Sequence, residues 1–183
     1  MWEDAMAWTF AEAAPSSSSG PRDSAWFDQL FTAHVAAINR YFVRRAPAQD
    51  CADLTADVFT VAWRKRDRVP ADLELPWLYK TSSFVLSNHR RKPVLTLLGN
   101  DNRGEPFGRP ERSVDPADVV IEDDQLRTAL LSLRPRERQV LMMHAWEGLD
   151  GTELAAALGM TRGGAAAALS RARRRFRDAC LAQ

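Results

Sequence analysis

From residue 24 onward the apolar residues return with the period of a helix. Phe27, Leu30, Phe31, Val35, Ile38 and Phe42 form the first stripe, with Ser24 as its expected N-cap and Pro47 as its end. A second helix is expected from about Cys51 to Arg66, with Leu54, Val58, Val61 and Ala62 on one face and Phe59 and Trp63 four apart on the next. The stretch RDRVPADLELP then reads as a loop bracketed by Pro70 and Pro76. A third helix is expected to start at about Trp77 and to run through SNHRRK until Pro93 stops it.

The pattern changes over residues 97–116, LLGNDNRGEPFGRPERSVDP, where three prolines and three glycines fall in twenty residues. That density excludes the interior of an element and marks a linker. Periodicity returns with Leu126, Ala129, Leu130 and Leu133, then with Pro135 opening a helix that carries Val140, Leu141, His144 and Ala145 and closes at Gly148. GTELAAAL, a break at Gly159 and an N-cap at Thr161 lead into a last helix with Ala165, Leu169, Ala172 and Phe176 at i, i+4, i+7 and i+11. No segment alternates with period two. The expected fold is all-α: two small helical domains, residues 24–92 and 117–183, joined by a flexible linker at 93–116. Residues 1–23, ending in PSSSSGPRD, are expected to be a disordered tail, although Trp2, Trp8 and Phe10 are uncommon in pure linker.

Composition sharpens this picture in a few places. The 45% hydrophobic and 27% charged residues are globular proportions. A net charge of +1 means that any nucleic-acid role must rest on local basic patches. Cys51 and Cys180 stand far apart, which points to a reducing compartment and away from a disulfide framework or a zinc cluster. No apolar run approaches the roughly 18 residues of a membrane span, and the acidic start lacks the basic region of a secretory signal. The chain is expected to be cytoplasmic and off the membrane. His34, His89 and His144 lie on separate helices and no phosphate-cradling glycine loop follows a strand, so no catalytic, metal or cofactor site is expected.

The strongest chemical signal is at the C-terminal end. A short helix, a glycine turn and a longer capped helix have the form of a helix-turn-helix, with Ala155 and Gly159 small where the helices cross. The pattern alone also fits an ordinary helical hairpin. The arginines of the second helix shift the weight: Arg171, Arg173, Arg174, Arg175 and Arg177 follow one another with no acid before Asp178. An unneutralised arginine cluster suits phosphate.

The segment LRPRERQVLMMHAWEGLDGTELAAALGMTRGGAAAALSRARRRFR resembles region 4 of bacterial sigma factors, the module that binds the −35 promoter element. FDQLFTAHVAAINRYFVRR, DCADLTADVFTVAWRK and LPWLYKTSSFVLSNHRRK resemble region 2, which binds core RNA polymerase and the −10 element. These two modules joined by a linker are the layout of the extracytoplasmic-function (ECF) sigma factors, and the resemblance spans about residues 24–180. It implies a non-enzymatic factor that directs promoter-specific initiation, with core polymerase (β′ clamp helices and β flap), promoter DNA and an anti-sigma factor as partners. By position, Asp53, Leu54, Asp57, Phe59 and Trp63 would meet the clamp helices. Ala56 departs from the family, which often has glutamine there. The loop at 68–76 would capture a flipped −10 base, with Arg68 and Asp72 as its candidates, although the sequence does not single out one residue. Lys80, Asn88, His89, Arg90 and Arg91 follow on the next helix. Lys80 and Arg91 are the expected phosphate contacts, Arg90 adds to the −10 surface, and Asn88 is a candidate base reader.

The −35 surface would comprise Thr161, Arg162, Gly163, Gly164, Ala166, Ala167, Arg171, Arg173 and Arg174. Here too the chain departs from its family, which often has Thr or Ser, Lys and Arg where this sequence has Gly164, Ala166 and Ala168. Arg162 is then the best remaining candidate for a guanine contact, and Ala166 and Ala167 can offer only methyl groups. Gly163 and Gly164 would let the backbone approach a phosphate. Loose base specificity, dominated by backbone and DNA shape, is the expectation. The competing reading is a helix-turn-helix regulator that never meets polymerase, its first domain serving to sense or dimerise.

Overall fold

The computed structural model describes residues 21–97 and 123–182, and all of its regular structure there is helical. Residues 1–20 of the expected tail and most of the expected linker lie outside the described residues, whereas residues 21–23, expected in the tail, lead into the first helix, with Arg22 bonded to Val69 and paired with Glu74. The residues of the expected first domain pack three helices against one another: α1 (Ser24–Val43), α2 (Cys51–Arg64) and α3 (Glu74–Leu97). Ile38, Phe42, Leu54, Val58, Ala62, Leu78 and Leu86 fill its centre.

Several boundaries differ from expectation. The N-cap of α1 is Asp23, whose carboxylate accepts from Trp26 N at 3.0 Å, so Ser24 is the first helical residue. α1 ends at Val43, before Pro47, and α2 ends at Arg64, where a 3-10 turn at Arg66–Arg68 takes over. α3 starts three residues earlier than Trp77, with Pro76 inside its first turn, where a missing N–H costs nothing. It also runs through Pro93 to Leu97, so residues 93–97 are helix and not linker. Proline removes one hydrogen bond and crowds the preceding turn, but it does not forbid continuation.

The second domain holds α4 (Asp124–Ser132), α5 (Pro135–Glu147), α6 (Gly151–Leu158) and α7 (Arg162–Leu181). Pro135 opens α5 as expected, and Gly148 and Gly159 close α5 and α6 at φ 71° and 61°, a conformation that glycine adopts without strain. The buried face of α5 is Val140, Met142 and Met143 together with Arg138, while Ala145 is exposed. Leu126, placed in the apolar stripe of α4, is instead exposed.

One buried charge of this domain, Arg138, is structural. Arg138 reaches back to the end of α4 and donates to the carbonyls of Leu130, Leu131 and Leu133 at 3.0, 3.1 and 2.9 Å. The last carbonyls of a helix lack the regular intrahelical donors; Leu133 N reaches only the Leu130 carbonyl, at 3.2 Å, so the Arg138 side chain completes the cap and fixes the angle between α4 and α5. The two domains also touch, α3 lying against α6.

Candidate nucleic-acid interface

The turn between α6 and α7 is built from three local devices. Gly159 takes the left-handed conformation, the Thr161 hydroxyl accepts from Gly164 N at 3.1 Å, and Leu154 and Ala155 bury under the crossing. This capped entry sets the direction of α7. The central alanines divide by face: Ala165 and Ala168 are buried with Leu169 and Ala172, whereas Ala166 and Ala167 are exposed. Small residues on the inner face let α7 seat closely against α5 and α6.

The outer face of α7 carries Arg162, Gly163, Ala166, Ala167, Arg171, Arg173, Arg174 and Arg177, all exposed. Arg171, Arg174 and Arg177 have no acidic partner among the described residues. Arg173 is held by the imidazole of His144, whose other ring nitrogen lies 2.8 Å from the Leu149 carbonyl. Arg175 pairs with Glu137 at 2.5 Å and serves the packing of α7 on α5. Arg162 leans toward the start of α6, its Nε 3.8 Å from where a Cβ on Gly151 would lie. Thr161 is engaged as the cap, and Gly164 is half-buried beside it.

The two glycines of α7 are not equivalent. A Cβ at Gly163 would meet nothing within 4 Å, while one at Gly164 would press on the Thr161 hydroxyl at 3.0 Å. Gly163→Ala is therefore expected to stabilise the domain by about 0.5–1 kcal/mol. Chemical denaturation measures this, and a loss of stability would place a hidden constraint at Gly163.

In the first domain, α2 separates its predicted residues by exposure. Asp53, Asp57 and Trp63 are exposed, but Leu54 and Phe59 are buried at 3% and 2%. Phe59 instead anchors an aromatic cluster, its ring 4.8 Å from Phe31 and 6.4 Å from Phe27, with Trp63 5.3 Å from Phe27 at the rim. Phe31 and Trp63, 41% and 39% exposed, give this cluster an apolar outer surface. Arg66 lies over Trp63 at 4.8 Å, so a cation borders the patch at that ring, while Asp53 and Asp57 are exposed on the same helix.

The loop before α3 is shorter than the sequence suggested, because Pro76 belongs to the helix. It comprises residues 69–73, with Val69 buried and its carbonyl accepting from Arg22 at 2.8 Å. Arg68 and Asp72 are exposed on either side. Of the α3 residues, Arg91 is exposed and Asn88 is half-buried. His89 meets Asp50 at 3.2 Å, and Arg90 donates to the Arg45 carbonyl at 2.7 Å, so both brace the connection between α1 and α2. Lys80 points toward the second domain. Its ammonium is 3.7 Å from a Cβ built on Gly159, and burial there lowers its pKa. Among the described residues no group of three or more His, Cys, Asp or Glu is placed to hold a metal, and no helix is long and apolar enough to cross a membrane.

Sequence reasoning missed three residues that organise this arrangement: Arg45, Arg138 and Glu147. Arg45 and Arg138 are buried, and the Glu147 side chain is only 2% exposed. Hydrophobic periodicity assigns charges to the surface, so it carries no signal for them.

Residues 123–176 match the family model of sigma-70 region 4. The fold is similar to that of the sigma factor RpoE from Bartonella quintana, solved with the anti-sigma factor NepR: TM-score 0.55, 19% identity, covering 84% of this chain and 95% of that one. It is likewise similar to CnrH, solved in complex with the cytosolic domain of CnrY: TM-score 0.52, 22% identity, covering 88% of this chain and 91% of that one. The resemblance read from the sequence is thereby borne out for region 4 over residues 123–176, and the all-helical fold of the whole chain is shared with these two structures.

Proposed function

We infer that this chain, carrying a sigma-70 region 4 domain on a fold shared with known sigma factors, is an ECF-type sigma factor that directs core RNA polymerase to promoters. It performs no catalysis of its own; the chemistry belongs to the polymerase. The observation that carries this reading is the region 4 match falling on a capped helix whose outer face is arginine and alanine. Arg171 and Arg174 contact phosphates, Arg162 is the candidate base reader, and Ala166 and Ala167 offer methyls to thymine. The exposed edge of α2, Asp53, Asp57 and Trp63, docks on the clamp helices. Arg68 and Asp72 flank the −10 loop, with Asn88 and Arg91 beyond it on α3. Because both similar structures are complexes with an inhibitory or cytosolic partner domain, the aromatic patch at Phe31 and Trp63 is also the surface on which an anti-sigma factor would compete with polymerase.

The test is transcription in vitro on fragmented genomic DNA with purified bacterial core polymerase, with and without the chain. New discrete start sites with a shared upstream motif are expected. Absence of new starts, with the chain alone shifting duplex DNA, would favour a plain helix-turn-helix regulator.

Two substitutions separate positioning from reading. Arg171→Ala should weaken binding to all −35 sequences alike and lower the slope of log affinity against log salt by about 0.9. Arg162→Ala should instead narrow the difference between −35 variants, by ~1–3 kcal/mol at one base pair. Unchanged relative affinities in Arg162→Ala would remove Arg162 as the reader.

A further inference from the structure

Beside the buried apolar cluster that runs through both domains, their contact holds charges that make little sense within either domain alone. Glu147 is the last residue of α5, where the helix already presents its negative end. A carboxylate there is unfavourable by itself. Its neutralisation comes from the other domain: Arg45 lies 2.8 Å from one carboxylate oxygen and Arg44 3.4 Å from the other, with Tyr79 of α3 near enough for the carboxylate to raise its pKa. Arg44 also donates to the Trp146 carbonyl at 3.4 Å, and the Arg45 guanidinium sits between the Tyr41 ring at 3.9 Å and the Trp146 ring at 5.5 Å. Burial, and then Glu147, push the Tyr79 hydroxyl up to about 12, so it stays a donor throughout the physiological range. A second cation repeats the arrangement one helix away, Lys80 of α3 lying at the C-terminal end of α6 beside Gly159.

We propose that Glu147 is a latch that holds the two domains closed in the free protein by inserting into a cationic socket formed by Arg44 and Arg45 beside the neutral Tyr79. The latch is built to open. Tyr41 Oη and Arg45 Nε are buried without a hydrogen-bond partner among the described residues, and Glu147 Oε1 has only its ion pair with Arg45, so separation returns incompletely satisfied polar groups to water. A partly satisfied buried network is worth little net stability, whereas removing one member of it is costly.

Closure also has a functional consequence, and this part rests on the promoter reading. Promoter elements about two helical turns apart are separated by roughly 70 Å, since one turn spans about 34–36 Å. Domains in direct contact through α3 and α6 do not reach both. Closure also covers Lys80, one of the expected −10 phosphate contacts. Opening is therefore the step that makes this cation available.

The full-length chain tests the latch by amide nitrogen relaxation, which reports how fast each domain tumbles. In the wild type both domains should share one rotational correlation time. Glu147→Gln leaves the socket arginines without their counter-charge, and each domain should then tumble with roughly half that time, as expected for bodies of about half the mass. Arg44→Ala, at a partly exposed position, should give a smaller change in the same direction and guards against a folding defect in the first variant. Independent tumbling in the wild type, or a single correlation time in a well-folded Glu147→Gln, would overturn the latch. Adding a mixed-sequence single-stranded DNA 20-mer distinguishes the consequence from the latch itself. Tighter binding by Glu147→Gln is expected; equal binding alongside decoupled domains would keep the latch and reject the competition for Lys80.

Discussion

Replacing Arg138 with methionine should unfold the second domain while leaving the first intact. The side chain is 8% exposed and donates to three carbonyls that end α4, at 3.0, 3.1 and 2.9 Å. Hydrogen bonds to a charged group contribute about 1.5–3 kcal/mol each, and a buried carbonyl left without a partner costs about 1–3 kcal/mol. These terms are not additive, because the three bonds share one guanidinium. A net loss of about 3–5 kcal/mol is expected, comparable to the whole stability of a domain of this size at roughly 0.05–0.15 kcal/mol per residue. Methionine preserves most of the volume, so the loss isolates the polar contribution. Urea denaturation followed by circular dichroism should show an early helical transition absent from the wild type, together with loss of duplex binding. Binding to core polymerase through the first domain should persist. A stability change under about 1 kcal/mol would mean that water replaces the guanidinium at this helix end.

Arg138 also marks where the sequence stops being informative. The helices were legible because each buries one stripe, and the stripes of α1, α2 and α7 fall where periodicity puts them: Leu30, Ile38 and Phe42; Leu54, Val58 and Ala62; Ala165, Leu169 and Ala172. Glycine and threonine fixed the α6–α7 turn because left-handed φ and capping each demand particular residue types. Prolines misled in both directions. Pro76 was read as a border and Pro93 as a stop, yet both lie within α3, since a proline is free of cost in a first turn and only expensive further in. The relation between the domains was not legible at all. Glu147 and Arg45 are 102 residues apart in sequence, and nothing local tells a buried pair from two solvated charges.

The same limit applies to the α2 surface, where the motif residues Leu54, Phe59 and Trp63 share a sequence pattern but not an environment. Phe59→Ala should cost about 3–5 kcal/mol, because it empties the centre of the cluster formed with Phe27 and Phe31. Phe59→Leu keeps most of that volume and should cost less than about 1.5 kcal/mol. Trp63→Ala removes a ring 39% exposed at the rim, where its edge contact with Phe27 and the Arg66 stack contribute on the order of 1 kcal/mol. Polymerase affinity should rank these variants in a different order. If the exposed edge of α2 is the docking surface, Trp63→Ala loses at least ~2 kcal/mol of binding, about thirtyfold in Kd, while remaining folded. Phe59→Leu then binds nearly as the wild type does, because a buried ring supports the surface without touching the partner. Equal losses of binding in Trp63→Ala and Phe59→Leu would mean that the cluster rearranges on docking to expose Phe59, and the interface would then have to be drawn through α1 as well as α2. Full binding by Trp63→Ala would move the polymerase contact off this patch and leave the aromatic rim to another partner.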